Sequence, residues 1–219
     1  IMYVLTQQLR IERFLDSTKI DLISCSDFNL PEVFKLFDKQ NGGFISEFDL
    51  EDTLYDLGVR PIKEEIHLLF NHFSSTKKFT LSEFSDLFIP SEPEYKIILD
   101  SRIDLQETRI KKNFSEETKY KLGKLMKIHL ESEGLCENLR LGITCKPGFS
   151  IYEAFKLVDL DQNGFITEQD LQLALDPERQ YLSPTDLKLL IQKFDKNCDS
   201  RISYSEFLEE ITPKLSNRI

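Results

Sequence analysis

The sequence predicts an all-α protein in which two pairs of helix–loop–helix units are joined by a long helical linker and preceded by an extra helix. Three observations support this class. Two twelve-residue segments carry side-chain oxygens at regular positions between apolar runs with helical spacing. Two more segments keep this outline with fewer oxygen ligands. The first and third segments end in Asp-Leu, and the second and fourth end in Ser-Glu-Phe, which indicates duplication of a pair.

The segment Asp195 to Glu206 has the most complete set of oxygens. It reads D-K-N-C-D-S-R-I-S-Y-S-E, with side-chain oxygens at positions 1, 3, 5, 9 and 12, namely Asp195, Asn197, Asp199, Ser203 and Glu206. Arg201 at position 7 would offer its backbone carbonyl. A hard cation such as Ca²⁺ takes about six to eight oxygen ligands, and a bound cation explains the clustered carboxylates better than a bare acidic loop does. Ser200 stands where glycine is expected for the sharp turn, which adds backbone strain without removing a ligand.

A second copy lies upstream and reads D-L-D-Q-N-G-F-I-T-E-Q-D. Its candidate ligands are Asp159, Asp161, Asn163, the carbonyl of Phe165 at position 7, Thr167 and Asp170. The aspartate at position 12 has a shorter side chain than glutamate, so coordination through both of its oxygens is harder. Magnesium, or calcium bound more weakly than in 195–206, is therefore predicted for 159–170.

These two segments strongly resemble the calcium-binding loops of the EF-hand family, and the resemblance covers roughly residues 27–89 and 150–212. It implies two EF-hand pairs, or lobes, with Ca²⁺ as the bound ion. The metal ligands carried over are Asp159, Asp161, Asn163, Phe165, Asp170, Asp195, Asn197, Asp199, Arg201 and Glu206.

The four loops are named here in chain order. They are loop one (38–49), loop two (74–83), loop three (159–170) and loop four (195–206). The resemblance also implies a small backbone bridge between the position-8 residues of paired hands, Ile45 with Phe79 and Ile166 with Ile202.

Loops one and two are predicted to have lost most of their metal chemistry. In loop one, Gln40 and Gly42 occupy positions 3 and 5, so tight calcium binding is not expected. Loop two is two residues short, and Lys77 and Lys78 stand where carboxylates would be needed. Two ammonium groups would repel a cation, so loop two is predicted to bind no metal.

Outside the loops, residues 2–25 and 115–133 are predicted to be helical. The first helix would cover the first lobe, pair with a partner, or serve as an extra core helix. The second is basic and amphipathic, with Leu122, Leu125 and Met126 between lysines. It would either occupy a groove of one lobe as an internal target or form a solvated connector with one face on a lobe.

Four domains follow from these boundaries. They are an N-terminal helix (1–25), a degenerate EF-hand pair (26–90), a helical linker (91–149) and an EF-hand pair with metal-competent loops (150–219). The chain begins Ile1-Met2, which is compatible with its being a fragment.

Composition excludes several functional classes. A net charge of −10 without a basic stripe argues against nucleic-acid binding. No catalytic motif is present, and the three histidines have no metal-ligand spacing, so no enzymatic activity is expected. No apolar run could span a membrane, and no secretory signal opens the chain. The four cysteines have no zinc spacing and predict reduced thiols in the cytoplasm.

Three functional hypotheses remain. In the first, the chain is a calcium-responsive module that grips amphipathic helices, either of partner proteins or of its own segment 115–133. In the second, it is a structural clamp that does not depend on calcium. A calcium-sensing regulatory subunit of an enzyme is a variant of the first.

A finer resemblance is to EF-hand proteins of cilia and flagella. It is carried by the run 26–30, the segment Tyr95 to Arg102 and the long middle helix. That resemblance implies an axonemal location in a microtubule-associated complex.

Overall fold

The computed structural model describes residues 1–74, 76–104, 114–175 and 182–215, and within these ranges the protein is mostly helical. Part of the predicted linker, 105–113, lies outside the described residues. The helices are α1 (Met2–Ile23), α2 (Leu30–Phe37), α3 (Glu47–Asp56), α4 (Lys63–Phe73), α5 (Leu81–Asp86), α6 (Pro93–Asp104), α7 (Glu116–Thr144), α8 (Ile151–Lys156), α9 (Glu168–Leu175), α10 (Pro184–Phe194) and α11 (Tyr204–Ile211). Two short strands, β1 (Phe165–Ile166) and β2 (Ile202–Ser203), complete the description. None of these helices combines the length and apolarity needed to cross a bilayer.

The chain packs as two compact units. Unit 1 contains Ile1–Phe14 and Leu135–Ile219, and unit 2 contains Leu15–Gly134. The long helices α1 and α7 therefore each contribute residues to both units. The four domain boundaries drawn from motifs stay predictions, because packing units and motif boundaries are different divisions of the chain.

Phenylalanine rings form the centre of unit 2. Seven fully buried or nearly buried rings are Phe28, Phe34, Phe37, Phe70, Phe79, Phe84 and Phe88. Phe84 contacts Phe88 with ring centroids 5.0 Å apart, and Phe70 stacks on Phe79 at 4.1 Å. Ile45 and Phe79 exchange backbone hydrogen bonds of 2.9 Å in both directions, which confirms the predicted bridge between loops one and two.

Helix α7 begins at Glu116, one residue after the start of the predicted helix 115–133, and extends to Thr144. In unit 2 its apolar face is fully buried through Leu122, Leu125 and Met126. A Cβ added at Gly123 would lie 3.2 Å from the carbonyl oxygen of Leu57, so the backbone of α7 approaches the end of α3 closely. Residue 123 must be small for the two helices to pack at this distance.

Arg102, in α6, satisfies the C-terminal end of α1. Its guanidinium donates to the carbonyls of Ile23, Cys25 and Phe28 at 2.9–3.0 Å. The last carbonyls of a helix have no partner within the helix and carry partial negative charge, so a cation is favourable there. The segment 95–102 therefore has a structural role in unit 2.

The core of unit 1 joins the helices of the second helix–loop–helix pair with part of α1. Its buried residues include Phe155, Phe194 and Phe207 from the pair together with Val4, Leu5 and Leu9 from α1. Strands β1 and β2 pair antiparallel with Ile166 opposite Ile202, which confirms the second predicted bridge. This bridge holds loops three and four side by side.

A buried ion network connects α7 and α11 within unit 1. Arg140 is fully buried and contacts Glu210 through Nη2 at 2.6 Å and Glu137 through Nη1 at 3.3 Å. Its Nε donates to the carbonyl of Glu210 at 2.8 Å. Glu137 in turn accepts hydrogen bonds from the backbone of Lys214 and Leu215. Every charge in the network has an opposite charge or a backbone dipole beside it, as burial requires.

Candidate metal centre

In all four loops the acidic side chain at position 12 caps the helix that follows. The position-9 hydroxyl and backbone N–H donate to the position-12 carboxylate, in the pairs Ser46 with Asp49, Thr80 with Glu83, Thr167 with Asp170 and Ser203 with Glu206. This is the reciprocal capping box, which satisfies donors at a helix start. The acid at position 12 therefore has a structural function that does not depend on a metal, and this explains its presence in loop two.

Loop four has its first acidic residues turned toward its own backbone. Asp195 accepts from the backbone N–H of Asp199 at 3.3 Å and of Ser200 at 2.8 Å, and Asn197 Oδ1 accepts from Asp199 at 2.9 Å. Asp199 accepts from the backbone N–H and the Nε of Arg201 at 3.2 and 3.0 Å. The side chains at positions 1, 3 and 5 therefore shape the loop by short turns.

Glu206 closes loop four by reaching back to its beginning. Its Oε1 accepts from the backbone N–H groups of Lys196 and Asn197 at 3.0 and 3.3 Å, while Oε2 caps α11. Burial by itself raises the pKa of this carboxyl. The hydrogen bonds from Ser203, Lys196 and Asn197 outweigh burial, so the pKa lies below its ordinary value. Glu206 is therefore held as an anion at the closed end of the loop.

Loop three repeats this closure with an aspartate. Asp159 accepts from the backbone N–H of Asn163 and Gly164 at 3.2 and 3.0 Å. Asp170 Oδ1 accepts from the N–H of Leu160 at 3.2 Å, and Oδ2 caps α9. The position-12 carboxylate thus reaches position 2 of its loop, as Glu206 does in loop four. Asp161 accepts from the N–H and Nδ2 of Asn163.

Loops one and two lack this cross-loop contact among the described residues. Asp38 still accepts from the N–H of Gly42 and Gly43 at 2.8 Å, but Asp49 accepts from Ser46 only. The position-2 residue, Lys39, instead donates its backbone N–H to Phe37 and pairs its ammonium with the carboxylates of Asp52 and Asp56.

In loop two, Glu83 accepts from Thr80 alone among the described residues. Lys78 Nζ lies 3.8 Å from the ring centroid of Phe44, which places a cation over an aromatic face beside this loop. The loss of metal chemistry in loops one and two stays a prediction.

Backbone conformation supports the turn predicted at position 6. Gly164 has φ +89°, and Ser200 has φ +65° in the corresponding place. Position 4 is also left-handed in both loops, with φ +58° at Gln162 and +60° at Cys198. A side chain at positive φ is disfavoured, so Ser200 carries the strain that the sequence predicts.

The predicted ligands lie in the right loops, but they do not meet at one point. In the part of the chain that the structure describes, no group of three or more His, Cys, Asp or Glu side chains is close enough to hold an ion. Arg201 contributes a side-chain contact as well, because its guanidinium lies 4.0 Å from the ring centroid of Phe165. The ligand set therefore stays a prediction. Its donors fit a hard cation chemically, since all are carboxylate, amide or carbonyl oxygens.

Two features of this centre were not predicted from the sequence. The capping boxes were visible as Ser/Thr-x-x-Asp/Glu at positions 9 to 12 of every loop. The contact from Glu206 to Lys196 spans ten residues and has no local sequence signal. It depends on how the loop folds.

The comparisons with known proteins point to the same half of the chain. Residues 149–212 match the family described as "EF-hand domain pair". Human calcium-binding protein 7 is 38% identical over 66 residues, which is 30% of this chain and 31% of the relative. Human calcium-binding protein 8 is 35% identical over 65 residues, which is 30% of this chain and 25% of the relative.

A longer and more distant match covers most of the chain. The probable calcium-binding protein CML11 of Oryza sativa subsp. japonica is 25% identical over 183 residues, which is 84% of this chain and 65% of the relative. The chain spans about a third of the length of the first relatives, 31% for calcium-binding protein 7. Together with the paired loops and their bridge, these matches show that residues 149–212 are an EF-hand domain pair, distantly homologous to those proteins.

Proposed function

We propose that this chain binds Ca²⁺ through loop four, and binds Ca²⁺ more weakly, or Mg²⁺, through loop three. The observation that carries the proposal is the cross-loop reach of the position-12 carboxylates. Glu206 and Asp170 both lie against the start of their loops, where the first ligands Asp195 and Asp159 begin. An ion held there would draw the oxygens inward, replacing hydrogen bonds to loop N–H groups by metal coordination.

The names of the relatives support the choice of ion, since three of them are called calcium-binding proteins. Glutamate at position 12 can offer both oxygens, whereas the shorter Asp170 favours one. We therefore expect two sites of different affinity.

Calorimetric titration of the full chain with Ca²⁺ tests this proposal. Glu206→Gln should remove the tighter site, and Asp170→Asn the weaker one. Glu83→Gln is the matched control, because it damages the same kind of capping box in loop two and should leave both sites intact. No heat in millimolar Ca²⁺, or equal losses from Glu83→Gln and Glu206→Gln, would contradict the proposal.

We further propose that the EF-hand pair grips amphipathic helices of partner proteins and performs no catalysis. The support is the pairing of acidic, oxygen-rich loops with an apolar core formed by both hands. A calcium-independent structural clamp is the second candidate, supported by the loss of ligands in loops one and two and by the buried Arg140 network that fixes α11. A regulatory subunit of an enzyme is a variant of the calcium-responsive form.

Affinity capture of partners with the full chain, in calcium and in chelator, separates these candidates. A partner retained only in calcium supports the responsive module. A partner retained equally in both supports the clamp, and Glu206→Gln should then leave capture unchanged.

Cytoskeletal or axonemal assembly is our proposal for the cellular role, supported by the resemblance of 26–30 and 95–102 to ciliary EF-hand proteins. A fluorescent fusion expressed in ciliated cells should stay with detergent-extracted axonemes. Complete release into the detergent extract would reject this role.

A further inference from the structure

The apolar core of the EF-hand pair contains a helix from outside the pair. Val4, Leu5 and Leu9 of α1 are buried in the same cluster as Phe155 and Phe194, with exposed fractions of 4%, 1% and 1%. Partly buried Ile1 and Met2 pack against this cluster as well. A helix that lays an apolar stripe against hydrophobic hand residues is what EF-hand lobes accept from partner proteins.

The buried face of this helical segment has a polar residue at its centre. In an α-helix, residues three and four apart share a face, so Gln8 lies between Val4, Leu5 and Glu12. Gln8 is 1% exposed, and neither its Oε1 nor its Nε2 has a hydrogen-bond partner among the described residues. The Thr6 hydroxyl, buried on the same segment, likewise has none there.

A buried amide without a partner among the described residues weakens the docking of the segment. A buried polar group left without a hydrogen bond is less favourable than an apolar side chain of similar shape. An aliphatic residue at position 8 would fit the same surroundings without this cost. The segment is therefore a suboptimal ligand for the surface that it covers.

Charged contacts fix the orientation of the segment 1–14. Arg13 donates to both carboxylate oxygens of Asp186 at 2.5 and 2.7 Å, and Glu12 lies 3.5 Å from Lys193 Nζ. Asp186 and Lys193 both belong to α10, the entering helix of loop four. The bidentate Arg13 contact is directional, so it selects one register of the helix on α10.

From these contacts we infer that residues 1–14 are a built-in, replaceable helical ligand of the EF-hand pair. The competing partner is an amphipathic helix with an aliphatic residue in place of Gln8 and an arginine five residues later to pair with Asp186. This inference rests on the proposed helix-gripping function and names the occupant of that surface. The segment then acts as an autoinhibitory helix that a better-fitting partner displaces.

The test uses the full chain and a fluorescein-labelled peptide of residues 1–14 in which Gln8 is replaced by leucine, followed by fluorescence anisotropy. Wild type should bind the peptide in competition with its own α1. Leu5→Asp in the chain should undock the internal segment and tighten peptide binding at least about tenfold. Gln8→Leu in the chain should dock the internal segment more tightly, because leucine needs no hydrogen-bond partner. The peptide then competes less well, and its binding should weaken about tenfold, the factor for about 1.4 kcal/mol.

Tyr3→Asp is the matched control, because Tyr3 lies on the same segment and is 68% exposed, so peptide binding should equal that of wild type. Gln8→Leu keeps the test decisive if Leu5→Asp does not fold. Hydrogen exchange in residues 1–14 should slow about tenfold in Gln8→Leu, by the same free-energy difference.

Equal peptide affinity for wild type, Leu5→Asp and Gln8→Leu, or no binding to any of them, would overturn the inference. Calcium titration of the same proteins separates the two proposals. Calcium binding without peptide exchange rejects the replaceable helix and supports metal binding. Peptide exchange without calcium binding supports the replaceable helix and rejects metal binding.

Discussion

In the first helix–loop–helix pair, the acidic side chain at position 12 stays at the start of its own helix, whereas in the EF-hand pair of residues 149–212 it also reaches back to the start of its loop. Both pairs keep the capping box and the bridge between loops. The shared features stabilise the backbone, and the feature that differs brings the position-12 carboxylate to the start of its loop. The helix–loop–helix backbone therefore does not depend on this cross-loop contact.

The largest expected effect is on stability, from removing the buried arginine that pairs with Glu210 of α11. Arg140→Ala would leave Glu137 and Glu210 buried with one opposite charge fewer each. Breaking a buried ion network in this way costs about 3–5 kcal/mol. Urea denaturation should show that loss in the free energy of unfolding. Lys127→Ala, which breaks the exposed pair with Glu131, is the control and should change it by less than about 1 kcal/mol.

Restoring ligands to loop one would make its oxygen set resemble that of loop three. Loop one keeps left-handed backbone at Asn41 and Gly43, so the turn is already available. Gln40→Asp with Gly42→Asp would supply carboxylates at positions 3 and 5. Calorimetry should then reveal one additional calcium site with Kd of about 10⁻⁴–10⁻³ M, weak because position 12 is an aspartate. An unchanged number of sites would show that the cross-loop contact, and not the ligand set, limits loop one.

A smaller effect is expected from substitutions at position 6 of loops three and four, where the backbone is left-handed. Ser200→Gly should raise the free energy of unfolding by about 1 kcal/mol, because φ +65° strains a residue with a Cβ. Gly164→Ala should lower it by about the same amount, because it introduces that strain at φ +89°. Thermal unfolding at saturating chelator should show the free energy of unfolding changing in opposite directions in the two variants. A change in the same direction in both would contradict the prediction.

The smallest effect is the acid dependence of the contact between α1 and α10. The guanidinium of Arg13 lowers the pKa of Asp186 from 3.8 to about 2, aided by hydrogen bonds from Ser183. A carboxyl with a lowered pKa in the folded state stabilises the fold above pH 3.8, and this contribution is lost as the pH falls toward 2. We expect a loss of less than about 1 kcal/mol after solvent screening. Arg13→Ala should flatten this part of the stability–pH curve, and an unchanged curve would refute the assignment.

Much of the fold was predictable because its signals are local. The helices around the loops follow from the helical spacing of apolar residues on either side of each loop. Both loop bridges were predicted from the resemblance to EF-hand proteins, which pairs the position-8 residues. The helix 115–133 was predicted from apolar spacing, although it runs on to Thr144. The split of α1 and α7 between two units was not predictable, because it depends on contacts between residues far apart in the chain, such as Arg13 with Asp186 and Arg140 with Glu210.

The sequence by itself determined which oxygens stand at which loop positions, where the strained turn lies, and that two lysines stand in loop two where a cation would need oxygens, because these depend on residue type and spacing. Only the tertiary structure decided that Val4, Leu5 and Leu9 enter the core of the EF-hand pair and that Gln8 is buried there without a partner among the described residues. An amphipathic helix shows in its sequence that one face will be buried, but the surface that buries it is selected by long-range packing.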